Sequence, residues 1–192
     1  MKHLRGYTLI EVMVVVTIAA VLMGLAAPSF VRTVRSTTVS NSVNSFLSDM
    51  RYARSESIRR GVSVVVCRSN APEATSPACN TGSGIDIDGD GLGDGWASGW
   101  IIFEDLDGDG TKDAAETVLK VESQNTRIES IMETGSGSTR FRFTPTGRLR
   151  NLSGATQLTF GGLNYANDLQ RVVCVSMAGH VRVAGDGTTV CS

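Results

Sequence analysis

Histidine is scarce in this chain. Its 192 residues contain only His3 and His180, so a His-based nucleophile relay or a His-rich metal site has little to build on. No Cys-x-x-Cys pair occurs, which removes the common zinc-ribbon spacings. A Gly-rich phosphate loop and a dinucleotide fingerprint are also missing. Trp96 and Trp100 read as packing anchors rather than a ligand box. The expectation is therefore no catalytic centre and no small-molecule substrate. Excess charge is lacking too: 18 basic residues face 19 acidic ones, for a net charge of −1. That balance argues against a globally basic nucleic-acid binder, so any anion binding needs a local patch.

What the chain does have is 41% hydrophobic residues, enough for one membrane anchor and one folded domain with a core. It also has four cysteines, Cys67, Cys79, Cys174 and Cys191. An even count in an exported chain points to two disulfides. Sequence allows three pairings. Cys67–Cys79 and Cys174–Cys191 are favoured, because each closes a short turn-rich loop, and each closure is worth roughly 2–4 kcal/mol.

The N-terminus carries the strongest signal. Residues 1–6 are short, basic and end in Gly6. Residues 7–27 form an apolar run interrupted by one charge, Glu11. About 20 apolar residues at about 1.5 Å each cross the hydrocarbon layer of a bilayer. A secretory signal would have a shorter apolar core, roughly 7–15 residues, with a small-residue cleavage site after it. A plain anchor leaves Glu11 unexplained, since a carboxylate in a membrane helix costs about 2.5–3.5 kcal/mol unless it finds a partner.

Gly6-Tyr7-Thr8-Leu9-Ile10-Glu11 resembles the prepilin cleavage and methylation motif. The resemblance implies that prepilin peptidase removes residues 1–6 and that Tyr7, standing where Phe is usual, is then methylated. It implies that Glu11 pairs with the α-amino group of a neighbouring subunit. The implied location is the bacterial inner membrane, single-pass, with a periplasmic head able to enter a filament. Pro28, one turn after Gly24, is expected to end or kink the first stretch. Pilin helices loosen between such positions; a simple bend at the membrane surface is the alternative.

Past Pro28 the pattern becomes amphipathic. Val39, Val43, Phe46, Leu47, Met50, Ala53 and Ser57 fall at spacings of three and four, with Arg51, Arg54 and Glu56 outward or sideways. One helix is expected over 8–60, stopped by Gly61. Short β-branched runs at 62–67, 99–104, 117–121, 126–132, 139–144, 156–160, 171–176 and 180–184 read as strands. The segment from Met50 to Cys67 resembles the helix-to-strand junction of the GspH/FimT group of minor pilins and pseudopilins. The expected fold is α+β and pilin-like, a long N-terminal helix packed on a β-rich globular head. Its divisions are a leader (1–6), a transmembrane or filament-core helix (7–28), an amphipathic helix (29–61) and a head (62–192). The implied partners are prepilin peptidase, other pilins or pseudopilins, and the inner membrane. The implied role is to join or prime a type IV pilus or a type II secretion pseudopilus.

Two surface features stay open. Residues 105–116 place acids at positions one, three, five, nine and twelve of a calcium-loop pattern, with Gly110 at six. The flanks read as strands, so an acidic hairpin turn is the alternative to calcium, and no cofactor is required. The run from Asp86 to Gly91 opens alike but has Ala97 where the last acid belongs. Arg140 and Arg142 alternate and should face one side. Arg148 and Arg150 sit in Gly147-Arg148-Leu149-Arg150, which matches the Gly-Arg-x-Arg letters of DNA-binding FimT-type pilins. Gly179-His180-Val181-Arg182 is a rival stretch nearer the chain end, with Arg171 a further candidate for the patch. DNA binding in natural transformation is the alternative function, through Arg148, Arg150 and Arg182. The other reading is that these arginines pair with acids or touch a neighbouring subunit.

Overall fold

The structure, a computed structural model, describes residues 7–135, 139–150 and 152–191. Its spine is α1, Leu9–Arg60. Thr8 caps the start from an extended conformation, its Oγ1 accepting from the Glu11 amide at 3.3 Å. Gly61 ends the helix at φ 68, a left-handed angle that glycine adopts without penalty. Pro28 does not terminate α1. The axis turns by 43° between Leu9–Gly24 and Ser29–Arg60. Pro28 has no amide hydrogen to offer the carbonyl of Gly24 one turn earlier, which is sufficient cause for a bend there. Among the described residues no single helix is long and apolar enough to cross a membrane, though these two pieces pass together by length and composition.

The head contains β1 (Ser63–Arg68), β2 (Trp100–Asp105), β3 (Val118–Glu122), β4 (Ser130–Gly135), β5 (Arg140–Phe143), β6 (Thr156–Gly161), β7 (Arg171–Val175) and β8 (Val181–Gly185). They form two four-stranded sheets, ordered β3-β2-β1-β5 and β4-β6-β7-β8. Every strand pairing is antiparallel. β4 begins later than the expected 126–132. Asn125 holds a turn there: its Nδ2 donates to Ser42 Oγ at 2.7 Å and its Oδ1 accepts from the Arg127 amide at 3.1 Å. Pairing with β6 then carries β4 through to Gly135. Gly95 makes the parallel bridge to Ile131; a Cβ there would lie 2.3 Å from the Ile131 carbonyl.

The lower half of α1 lies against both sheets. Val39, Val43, Phe46, Leu47, Met50, Ala53 and Ser57 are all buried, as their spacing requires. Phe46 meets Trp96, Trp100, Phe141 and Phe160 edge-on, with centroids 5.6–6.1 Å apart. Since β5 supplies Phe141 and β6 supplies Phe160, this one side chain joins the helix to both sheets. Trp100 Nε1 donates to the buried Asp49 carboxylate at 2.9 Å, so the indole serves as a packing anchor with a satisfied polar end. Glu56 corrects the expected pattern: it is buried, because Arg59 and Arg60 close over it from the next turn. Disulfides join Cys67 to Cys79 and Cys174 to Cys191. The first anchors the start of the long 69–95 loop to β1; the second pins the C-terminal segment to β7.

Candidate functional site

The first candidate is the helix end. Tyr7, Leu9 and Ile10 are 85%, 79% and 71% exposed, and the apolar residues that follow stay more than half exposed through Met23 wherever their side chains are large. A monomer does not leave so much contiguous apolar surface in water. Within it sits Glu11, exposed, its backbone held by Thr8 but its carboxylate without a partner among the described residues. Gly6 lies outside the described residues.

The helix meets the head at a polar collar. Arg32 pairs with Asp168, and Arg35 donates to the Asn164 carbonyl at 3.3 Å. The Arg35 guanidinium also stands 5.1 Å over the Tyr165 ring. Phe30, Val31 and Val34 remain exposed beside this collar, so apolar surface continues up to the head.

The acidic loop between β2 and β3 gathers Asp105, Asp107 and Glu116, with carboxylate oxygens within 4.8 Å of one another. The sequence left open what neutralises them. In the structure a guanidinium enters the set: Arg142 Nε lies 2.9 Å from Asp105 Oδ2, and its Nη2 donates to the Gly108 carbonyl. Arg140 donates to the Gly110 carbonyl at 2.6 Å. Both arginines face one side of β5, as alternation demands, and that side is the loop. Glu116 accepts from the amides of Leu106 and Asp113 at 2.8 and 2.9 Å. Amides of the loop and the Arg142 guanidinium therefore occupy the oxygens of Glu116 and Asp105. Asp86, Asp88 and Asp90 form a second, exposed acidic group.

The two rival basic stretches are neighbours. The Leu149 amide donates to the Met177 carbonyl at 3.0 Å. A Cβ on Gly179 would lie 2.5 Å from the Gly147 carbonyl, so the turns touch where both carry glycine. This brings Arg148, Arg150, His180 and Arg182 to one end of the head, all exposed. Among the described residues no carboxylate pairs with Arg148, Arg150 or Arg182. Arg171 does not join them. It starts β7 at the opposite end and donates to the carbonyls of Asp168 and Gln170. His180 faces Arg54, with Nδ1 and Nη1 3.5 Å apart, rather than any nucleophile.

Comparison with known proteins places these features. The family model described as Type II transport protein GspH matches residues 42–179. The model of the prokaryotic N-terminal methylation motif matches residues 1–27. No curated protein matches the chain. Among solved structures, the type IV minor pilin FimU of Pseudomonas aeruginosa is similar in two crystal forms. One shares 18% identity at a TM-score of 0.51, covering 76% of this chain and 87% of that one. The other shares 17% at 0.50, covering 76% and 91%. At that identity the likeness speaks for the fold: a long helix on antiparallel sheets.

Proposed function

Since the chain belongs to the GspH family and carries the N-terminal methylation motif, we propose that prepilin peptidase cleaves it after Gly6 and that Glu11 then docks it into a filament. The chain is a structural subunit of the minor pilin or pseudopilin kind, not an enzyme. Its prepilin-type helix is suited to inner-membrane anchoring before assembly with other pilins. In our reading residues 7–28 hold it in the membrane, residues 29–61 join the head, and residues 62–192 fold in the periplasm. That oxidising compartment suits both disulfides. The filament is a type IV pilus or a type II secretion pseudopilus, and no cofactor is needed for the role.

One observation carries the reading. Among the described residues Glu11 is a carboxylate without a partner on an exposed apolar helix, and cleavage after Gly6 creates at Tyr7 the α-ammonium that a neighbour's Glu11 requires. The test replaces Glu11 by Val or by Asp in the full-length protein. Glu11→Val should still reach the membrane and be cleaved, yet be absent from sheared filaments; Glu11→Asp should retain part of the incorporation. Equal incorporation of all three forms refutes the role.

A second reading has its own observation. Arg148, Arg150 and Arg182 are exposed together, without acidic partners among the described residues. Such a group can grip phosphates, with affinity falling steeply in salt. Retardation of DNA that disappears with Arg148→Ala/Arg150→Ala supports a DNA-uptake role; unchanged retardation removes these residues from it.

A further inference from the structure

The apolar surface of α1 continues past the end of the span. At about 1.5 Å per residue, residues 7–28 cover about 33 Å, so Phe30 to Arg35 follow at the depth of the lipid headgroups. There the helix meets the head along a groove of about 380 Å³. Phe30, Val31 and Val34 line it from the helix and are 70%, 51% and 47% exposed. Tyr165 and Arg127 line it from the head, and Arg35 reaches across from α1 to the Tyr165 ring.

The free charge of this groove is positive. Among the described residues no carboxylate pairs with Arg35 or Arg127. Arg32, nearly one turn before Arg35, pairs with Asp168, but both side chains are more than half exposed, and such a pair is weak enough for a phosphate to compete. Glu129 belongs to the same end of the head, and its carboxylate accepts from the Asn164 amide at 3.0 Å. Arg35 is already positioned. It donates to the Asn164 carbonyl at 3.3 Å, and its guanidinium stands 5.1 Å over the Tyr165 ring. The Tyr165 hydroxyl in turn donates to the Arg127 carbonyl at 3.4 Å. Basic residues tend to stay on the cytoplasmic side of a span, so topology gives no reason for Arg32 and Arg35 directly beyond its far end.

We propose that this groove seats an anionic phospholipid of the periplasmic leaflet. Arg35 and Arg127 donate to its phosphate, and its glycerol end lies on Phe30, Val31 and Val34. A guanidinium presents paired donors that match phosphate oxygens. A tyrosine suits this depth, with an apolar body and a polar tip. The contact ties the head to the bilayer surface and sets the angle at which α1 leaves it. A neighbouring subunit's apolar helix would cover Phe30, Val31 and Val34 but would leave both arginines without an anion. The inference rests on the reading of residues 7–28 as a membrane anchor.

The test reconstitutes the full-length protein into vesicles of phosphatidylcholine, alone or mixed with phosphatidylglycerol. Native mass spectrometry after detergent extraction then reads the lipid each form retains. The wild type should keep phosphatidylglycerol over phosphatidylcholine several-fold. Arg35→Gln/Arg127→Gln should lose that preference, and Arg35→Lys/Arg127→Lys should keep part of it. Arg148→Gln/Arg150→Gln should leave it unchanged, at the far end of the head where α1 makes contact through Arg54. Arg127→Gln alone, an exposed substitution, should lower it without moving the thermal midpoint. Lys2 and Arg5 are present in every form, so differences between forms read the groove. Equal retention of the two lipids by the wild type, or a preference that survives Arg35→Gln/Arg127→Gln, overturns the proposal. Flotation with phosphatidylcholine vesicles separates that failure from failure of the anchor. A wild type that floats without lipid preference keeps the anchor and loses the lipid site; one that does not float loses both.

Discussion

Arg68 is the most demanding residue in the head. Its side chain is 1% exposed, and it reaches from β1 of one sheet to Glu133 on β4 of the other, with Nη1 3.1 and 3.2 Å from the two carboxylate oxygens. Its Nε has no acceptor among the described residues. Desolvation lowers the pKa of the guanidinium, while Glu133 opposes that shift. Glu133→Gln removes the compensating charge and leaves the cation buried, which should cost about 3–5 kcal/mol. That is a large share of a typical domain stability of about 5–15 kcal/mol. Arg68→Met/Glu133→Leu should recover most of the loss, since an apolar pair of similar volume leaves no unpaired charge behind. The assay is denaturant unfolding of the full-length protein in detergent, followed by tryptophan fluorescence, with the shift in midpoint read at constant slope. Trp96 and Trp100 pack around Phe46 between the sheets and report their separation directly. A Glu133→Gln cost below about 1 kcal/mol, or strictly additive single substitutions, refutes the reasoning.

Three further outcomes follow from the same contacts. Gly179→Ala should lower stability by about 1–3 kcal/mol, because φ is 76 and the new Cβ meets the Gly147 carbonyl; Gly61→Ala, with open space around it, should cost less in the same melt. Hydrogen bonds from Arg59 and Arg60 hold the Glu56 carboxyl at about 2, below its ordinary 4.5. A depressed folded-state pKa stabilises above the unfolded value, so this contribution should be complete above pH 4.5 and fade as pH falls toward about 2; carboxyl NMR titration reads it, and a midpoint near the ordinary value contradicts it. Because Arg142 already neutralises Asp105, calorimetry with millimolar calcium should give no saturable heat; heat that Glu116→Ala abolishes would instead make the loop a calcium site.

The helix was legible in the sequence from cap to cap, because the all-apolar run, the later stripe from Val39 to Ser57 and the stop at Gly61 are each local signals. Strand positions were legible to within a few residues, β4 excepted, where the tether at Asn125 is a long-range contact that no local pattern announces. Alternation put Arg140 and Arg142 on one face, but only the pairing of β1 with both β2 and β5 brings that face to the acidic loop. The two Gly-containing basic stretches looked like rivals along the chain. They are neighbours because β7 and β8 fold back beside the turn after β5. Glu56 was misjudged because helical periodicity does not see arginines closing over a carboxylate. A cleft at Leu163 had no sequence signal, since its walls come from residues 88–94, 129–132, 159–164 and 170, which only the fold brings together.

Filament entry depends most on the processing of the N-terminus. Intact-mass spectrometry of the membrane-extracted protein measures it directly. The expected product is a mature chain lacking the six residues Met1–Gly6 and beginning at an N-methylated Tyr7, with Gly6→Val retaining the leader. A wild-type mass that still includes Met1–Gly6, or the same mature mass from Gly6→Val, would contradict it.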